Sequence, residues 1–263
     1  MSKFKMWYEH QGSTAWLAHR NPAQPPEGQY IIPSSIVANI IGCGYSSLGA
    51  EYRRYTGTQE CQKPLEGFWL DWGRAYEAEA IDVYFQYTKS CGVQPGTLRH
   101  DTRKWLWASC DQIMFRGGDV LSILEIKCPQ VIPYDWQTDE KTWWKISKHI
   151  IQVQMQMEVT GLKEAYLFYY HPTIGCLELK IPHDRALVEH CFDTCEDFLR
   201  RVVKRTAYPK KNPNIGITKN ILAPLRHKIL PGMRYSFKQN NQTTECRSIV
   251  ASAENSEPSR SAP

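Results

Sequence analysis

Residues 105–129 carry the densest arrangement of reactive side chains in the sequence. The run Leu121-Ser-Ile-Leu-Glu-Ile-Lys-Cys128 is too short for an ordinary helix and too apolar for a loop, yet it holds an acid and a base two residues apart. Read as a strand, it points Glu125 and Lys127 to the same face. The Arg116-Gly117-Gly118-Asp119 segment reads as a tight turn that folds the preceding strand back alongside and brings Asp111 near Glu125. Two carboxylates and a lysine gathered at the end of an apolar sheet suit a hydrolytic centre, and a simple ion-pair cluster equally well. Asp119, the other acid in this stretch, is read as a turn residue.

The elements expected to position these groups follow along the chain. Residues 11–20 spell a short helix with Trp16 and Leu17 turned inward and Arg20 near its end. Residues 36–41 form an apolar helix with Ser34 or Ser35 as its N-cap, and hydroxyls with free amides at a helix start also suit a phosphate. From Leu65 a longer helix puts Glu77, Ala80, Ile81 and Tyr84 on one stripe, so Glu77 is either a buried, partnered carboxylate or a site residue. Glu79 and Asp82 are read as solvated, and Gly73, one turn before Glu77, leaves room for a bulky group to approach. Residues 93–100, 105–111 and 120–128 are three strands, ended by Pro129 and Pro133.

Residues 143–160 are helical, with Ile146, Ile150, Val153 and Met157 in one apolar line and Gly161 as the stop. Alternate helix positions diverge by about 200°, so of Gln152, Gln154 and Gln156 only the first and last share a face. A hairpin over residues 165–181 follows, then an amphipathic helix carrying Leu187, Cys191, Phe198 and Val202.

At 263 residues, 42% of them hydrophobic, the chain can bury a substantial core. No apolar run approaches the length of a membrane helix and the N-terminus lacks a signal-peptide core, which predicts a soluble, intracellular protein. Nine cysteines without a Cys-x-x-Cys pair predict reduced thiols. The net charge of +5 is unevenly placed: from Arg200 onward there are 13 Lys/Arg against 3 Asp/Glu, so the body before it is acidic. This predicts a domain over 1–208 and a basic, partly disordered extension over 209–263. Such an arm either engages a phosphate backbone or is a solvated tail.

The order of elements, a helix with Glu77, strands with Asp111 and Glu125/Lys127, a helix with Gln152 and a further strand, resembles the core of the PD-(D/E)xK nuclease superfamily. Within it the sequence most resembles the lambda-exonuclease/YqaJ-like viral recombinase family. The resemblance covers about residues 11–205. It rests on Trp16…Arg20, Gly73-Arg-Ala-Tyr-Glu77, Ala108-Ser-Cys-Asp111, Leu124-Glu-Ile-Lys-Cys-Pro129 and Ile151-Gln-Val-Gln154.

That resemblance implies an α/β (mixed α+β) fold with a restriction-endonuclease-like αβββαβ core, a central mixed sheet flanked by helices. It implies that Asp111, Glu125 and the Ile126 carbonyl bind Mg²⁺ or Mn²⁺, and that Glu77 supports a second ion. Lys127 would orient or deprotonate the attacking water, and Gln152 would position the groups around it. Arg20, with Ser35 as a weaker companion, would receive a 5′-terminal phosphate. Cys110 and Gln112 stand where the family has Pro and Gly around the first carboxylate. Gln112 cannot reach glycine's left-handed conformations cheaply, so the turn there is expected to differ.

These residue types fit the implied chemistry. A phosphodiester is anionic and resists attack by neutral water, and two hard cations on carboxylate ligands stabilise both the attacking and the leaving oxygen. A lysine with a depressed pKa beside them would serve as base. The reading is a metal-dependent deoxyribonuclease, a 5′→3′ exonuclease on double-stranded DNA ends that leaves 3′ overhangs for a single-strand annealing protein. Family members include trimeric rings as well as monomers. An endonuclease on DNA or RNA is the alternative enzyme, and it would degrade a closed circle. A catalytically silent nucleic-acid-binding protein is the other alternative, and it has no need for Asp111, Glu125, Lys127 and Gln152 together.

Overall fold

Side-chain alternation along one central strand sets the layers of the fold, seen in a computed structural model that describes residues 5–7, 9, 11, 13–19, 30–58, 67–116, 119–206, 208 and 211–236. In chain order the elements begin with β1 (Lys5–Trp7), α1 (Thr14–His19), β2 (Ile32–Pro33), α2 (Ser34–Ile41), α3 (Leu48–Tyr55) and α4 (Phe68–Thr88). Next come β3 (Cys91–Val93), β4 (Thr97–Arg99), β5 (Leu106–Ala108), β6 (Gln112–Arg116), β7 (Asp119–Lys127) and α5 (Glu140–Thr160). The chain continues through β8 (Glu164–His171), β9 (Gly175–Pro182), α6 (Arg185–Lys204), α7 (Ile215–Arg226) and β10 (Leu230–Ser236).

The strands make a six-stranded sheet, β10-β9-β8-β7-β6-β3, and a four-stranded one, β1-β4-β5-β2. In the larger sheet β7 and β8 run parallel with α5 connecting them, and the other neighbours are antiparallel, so the central sheet is mixed. Ile123 and Leu167 point into a core shared with α2, α5 and α6, whereas Leu124, Ile126, Phe168 and Tyr170 point the other way, onto Ala80 and Tyr84 of α4. Helices therefore cover both faces, as expected. Glu125 and Lys127, in phase with Ile123, face the α5 layer.

The fold departs from the sequence reading at the strand boundaries. Gln94-Pro95-Gly96 divides residues 93–100 into β3 and β4, which lie in different sheets. The expected strand 105–111 is likewise β5 in the small sheet, followed after Ser109-Cys110-Asp111 by β6 in the large one. No proline or glycine marks this second crossing, so the apolar run reads as continuous. At α2 the helix starts directly on Ser34 after an extended Pro33, with no side-chain cap, so neither serine caps it. By contrast α5 has a side-chain cap: Asp139 accepts a bond from the Thr142 amide at 2.6 Å. Its line of Ile146, Ile150, Val153 and Met157 is buried, and Gly161 ends it at φ 74°.

The basic segment from residue 209 contributes to the fold. Leu222 and Leu225 of α7 are fully buried and β10 pairs antiparallel with β9. Among its described cations, Arg226 bonds the Trp136 carbonyl and Glu140, Lys228 bonds Asp184, and Lys219 lies over Trp144. Residues 237–263 lie outside the described residues. Seven described cysteines are free thiols, and no described helix is long and apolar enough to cross a membrane.

One covered titratable group in α5 gives the fold a pH dependence. His149 lies 2.9 Å from the Tyr169 hydroxyl, and burial, then Lys127 and Lys148, hold its imidazole well below the ordinary value. The folded protein keeps His149 neutral where the unfolded chain takes up a proton, so stability should fall as pH drops through the ordinary histidine range. Thermal melts from pH 7.5 to 5.0 should show this loss, and His149→Gln should make the profile flatter. An identical slope in the variant would assign the acid loss to other groups.

Candidate metal centre

The site forms where the two sheets meet. Asp111 directly precedes β6 and falls opposite Glu125 of β7, since Gln112 pairs with Leu124 in the antiparallel register. Its Oδ2 accepts a bond from the Ile126 amide at 2.6 Å, which ties the first carboxylate to the backbone between Glu125 and Lys127. The convergence expected from the Gly117-Gly118 turn is thus present, although through β6 rather than through one strand ending at Asp111. Gln112 has none of the left-handed backbone expected to be troublesome: it opens β6 as a strand residue, and the positive-φ residues other than glycine are Lys89 and Arg205 among the described residues.

Glu125 is the centre of the cluster, only 2% exposed. Lys127 Nζ donates to its Oε1 at 2.5 Å and Gln152 Nε2 to the same oxygen at 2.5 Å. Its Oε2 accepts from Gln156 Nε2 at 2.6 Å. A buried carboxylate needs such charge-assisted bonds on both oxygens. Gln156 also donates to the Ser109 carbonyl at 3.1 Å and so joins the site to the turn before Asp111. Gln154 is turned away: it donates to the Pro182 carbonyl and accepts from the Asp184 amide.

The turn before Asp111 is pinned from the N-terminal segment as well. Gln11 donates to the Cys110 carbonyl at 2.8 Å and Trp16 Nε1 to Ser109 Oγ at 3.1 Å. Glu77 approaches from α4, in the layer across the sheet; its carboxyl is pushed up by burial, while Lys127 opposes the shift and Glu125 adds to it. Gly73, one turn earlier, faces open space. Glu79, read as solvated, is exposed but accepts a bond from Tyr170. Asp119 opens β7 at its exposed end, paired with Arg116 and far along the strand from the site. Ser35 lies in the first turn of α2, and Arg20 is outside the described residues.

The electrostatics show a surplus of negative charge. Asp111 is held well above the ordinary carboxylate value by burial and then by Glu125, with Lys127 opposing and Glu77 adding. Burial alone would lower the Lys127 ammonium, but Glu125, Asp111 and Glu77 together hold it above its ordinary value. The carboxylates thus favour the ammonium form of Lys127, a direction opposite to the one the sequence suggests for a lysine beside metal ions. Cys128 nearby is pushed up to about 12 by burial, Glu77 and Asp111, so its thiol stays protonated and is a poor ligand.

Three carboxylates sharing one lysine, with no ionised sulfur and no imidazole among them, fit a hard divalent cation. Asp111, Glu125, the Ile126 carbonyl and Glu77 are the groups that would hold it. They are not gathered at coordination distance: among the described residues no three acidic, histidine or cysteine side chains already surround one point. Both oxygens of Glu125 are in hydrogen bonds instead.

Sequence reasoning missed Gln156, Gln11 and the role of Trp16 as a pin. For Gln156 the signal was present, since it shares a helix face with Gln152. Gln156→Leu should leave Glu125 Oε2 and the Ser109 carbonyl unpaired, destabilising the fold by roughly 1–3 kcal/mol. Denaturant unfolding measures this, and a change within error would show that other groups replace the amide.

A mixed sheet with helices on both faces, and with Asp before one strand and Glu-x-Lys on the next, has the architecture of the PD-(D/E)xK nuclease fold. The chain belongs to the YqaJ-like viral recombinase domain family, whose sequence profile matches residues 15–163. Among solved structures it is similar to an alkaline exonuclease, LHK-Exo, from Laribacter hongkongensis: 20% identity, TM-score 0.59, covering 81% of this chain and 100% of that one. The structure of LHK-Exo in complex with dAMP gives 23% identity and a TM-score of 0.57, again over 81% and 100% of the two chains. At these identities the likeness establishes the fold. A search of curated proteins finds no match.

Proposed function

We propose that this chain is a metal-dependent deoxyribonuclease, a 5′→3′ exonuclease acting on double-stranded DNA ends. The observation that carries the reading is Glu125, buried between Lys127, Gln152 and Gln156, facing Asp111 and within the field of Glu77. A structural ion pair needs one carboxylate and one lysine. The additional acids raise the energy of the metal-free site and are explained by a cation. Membership of a viral recombinase family, and the dAMP bound by the similar alkaline exonuclease, support a nucleic-acid substrate.

When bound, Mg²⁺ or Mn²⁺, two ions in this reading, would supply Lewis acidity toward the phosphodiester and lower the pKa of water. The residues of the chain do the rest. Asp111 and Glu125 fix the anionic floor of the site, with Asp111 aligned by the Ile126 amide. Lys127 presents an ammonium that orients the attacking oxygen and offsets the charge of the reacting phosphate. Gln152 sets the position of Glu125 against that ammonium. Arg20 and Ser35 receive the 5′-terminal phosphate, and the 3′ overhangs pass to a single-strand annealing protein.

The test is linear duplex labelled at its ends, with and without a 5′ phosphate, compared with a closed circle in Mg²⁺. Mononucleotide release from the phosphorylated linear duplex, with the circle intact, is the expected result. Cutting of the circle would establish the endonuclease alternative, and activity that persists in EDTA would overturn the metal.

A further inference from the structure

Beside the carboxylate cluster, the loop between α2 and α3 presents one aromatic ring to solvent. Tyr45 is 87% exposed. A single exposed ring is ordinary on a protein surface, but the structure that holds this one is not a loose loop. A Cβ on Gly44 would lie 1.8 Å from Asn39 Oδ1, so only glycine fits there. The same Oδ1 accepts a bond from the Ser46 amide at 3.2 Å, while Asn39 Nδ2 donates to the buried Glu51 at 2.8 Å. From the other side Thr218 donates to the Ile41 carbonyl at 3.0 Å and braces the end of α2. Placing a carboxylate in the interior is unfavourable unless it is bonded in this way, and the loop at the rim of the site is what the arrangement fixes.

The second observation is a cation under the ring. Lys148 Nζ lies 3.2 Å from the centroid of Tyr45. Lys148 sits one turn before Gln152 on the same face of α5, and the Tyr45 hydroxyl lies within the field of Lys127. Burial, then Lys127 and Lys145, bring Lys148 down to about 8. The pair is therefore continuous with the site, with one face of the ring on an ammonium and the other open.

We infer that Tyr45 is a stacking platform for a nucleobase of the bound DNA strand, with Lys148 as the fixed cation beneath the ring and the neighbour of the flanking phosphate. The ammonium holds the ring from one face and leaves the other face for a base. Stacking of this kind tolerates any sequence, which suits an enzyme that moves along a strand. The inference rests on the nuclease reading, and Tyr45 acts as a positioning residue that touches the substrate beside the bond to be cut.

The test uses the full chain and a 5′-phosphorylated duplex carrying 2-aminopurine at the terminal or the adjacent position, bound with Ca²⁺ in place of Mg²⁺ to hold cleavage. Wild type should quench the fluorescence at one position. Tyr45→Ala should lose the quench and bind roughly 5- to 150-fold more weakly, whereas Tyr45→Phe and Tyr45→Trp should retain both. Circular dichroism should match across the set, since the side chain is on the surface. Unchanged quench and affinity in Tyr45→Ala, or an equal loss in Tyr45→Phe, would overturn the platform while leaving the nuclease reading in place. A wild type that binds no duplex would overturn both.

Discussion

Lys127→Met should reduce phosphodiester cleavage by roughly 10²–10⁴-fold, the range expected when a charged group serving the transition state is removed. Methionine keeps most of the stem volume and removes only the ammonium. Because that ammonium contacts Glu125 Oε1 and not the Asp111 oxygen bonded to Ile126, the turn that carries Asp111 should stay in place. Binding of linear duplex should therefore persist, and the measurement is cleavage rate against affinity on the same preparation. Activity within tenfold of wild type would remove Lys127 from the reaction. Since Lys127 is held above its ordinary pKa by its carboxylate neighbours, Lys127→Arg, also cationic, is the informative companion. Partial activity in the arginine variant supports a positioning cation, and complete loss points to a need for lysine's shape or for deprotonation.

The second large effect is expected in Asp111→Asn, and it has opposite signs with and without metal. Burial and then Glu125 hold Asp111 well above the ordinary carboxylate value. An acid whose folded pKa is raised takes stability away as pH climbs from its ordinary value toward the folded one, because the unfolded chain ionises first. Asparagine removes this penalty and can still accept the Ile126 bond. In EDTA at neutral pH the variant should melt higher than wild type, by about 2–4 °C for each kcal/mol relieved. Added Mg²⁺ should raise the wild-type melting temperature, by about 2.7 kcal/mol of stabilisation at a hundredfold excess over Kd, and leave the variant almost unmoved. A variant that melts lower in EDTA and still responds to Mg²⁺ would show that Asp111 is structural and that the ion binds elsewhere.

Much of this was legible because the pattern was periodic. Alternation around Glu125 and Lys127 placed them on one face, the line of Ile146, Ile150, Val153 and Met157 placed α5, and the four-residue spacing put Gln152 and Gln156 together. What escaped lacked a local signal. The crossing from β5 to β6 at Ser109-Cys110-Asp111 has no proline or glycine, and strand pairing is decided by partners distant in sequence. The basic composition after Arg200 left a phosphate-binding arm and a solvated tail both open, and it carried no sign that Leu222 and Leu225 of that segment fill a buried face, because charge says little about fold. The direction of the Lys127 shift was not legible either, because it depends on how many carboxylates gather around one lysine: burial lowers its pKa, and three acids outweigh burial.

The crossing at Ser109 has a mechanical consequence. Asp111 is the last residue before the chain enters the large sheet, where the Ile126 amide holds it against β7, so its distance from Glu125 is set by the β6–β7 pairing. What the crossing adds is a lever, because any pull from the small sheet arrives next to the carboxylate. Gln156, bonded at once to the Ser109 carbonyl and to Glu125, is the rivet that resists that pull. Substitutions in the small sheet should therefore register first as a change in metal affinity, well before they register as unfolding.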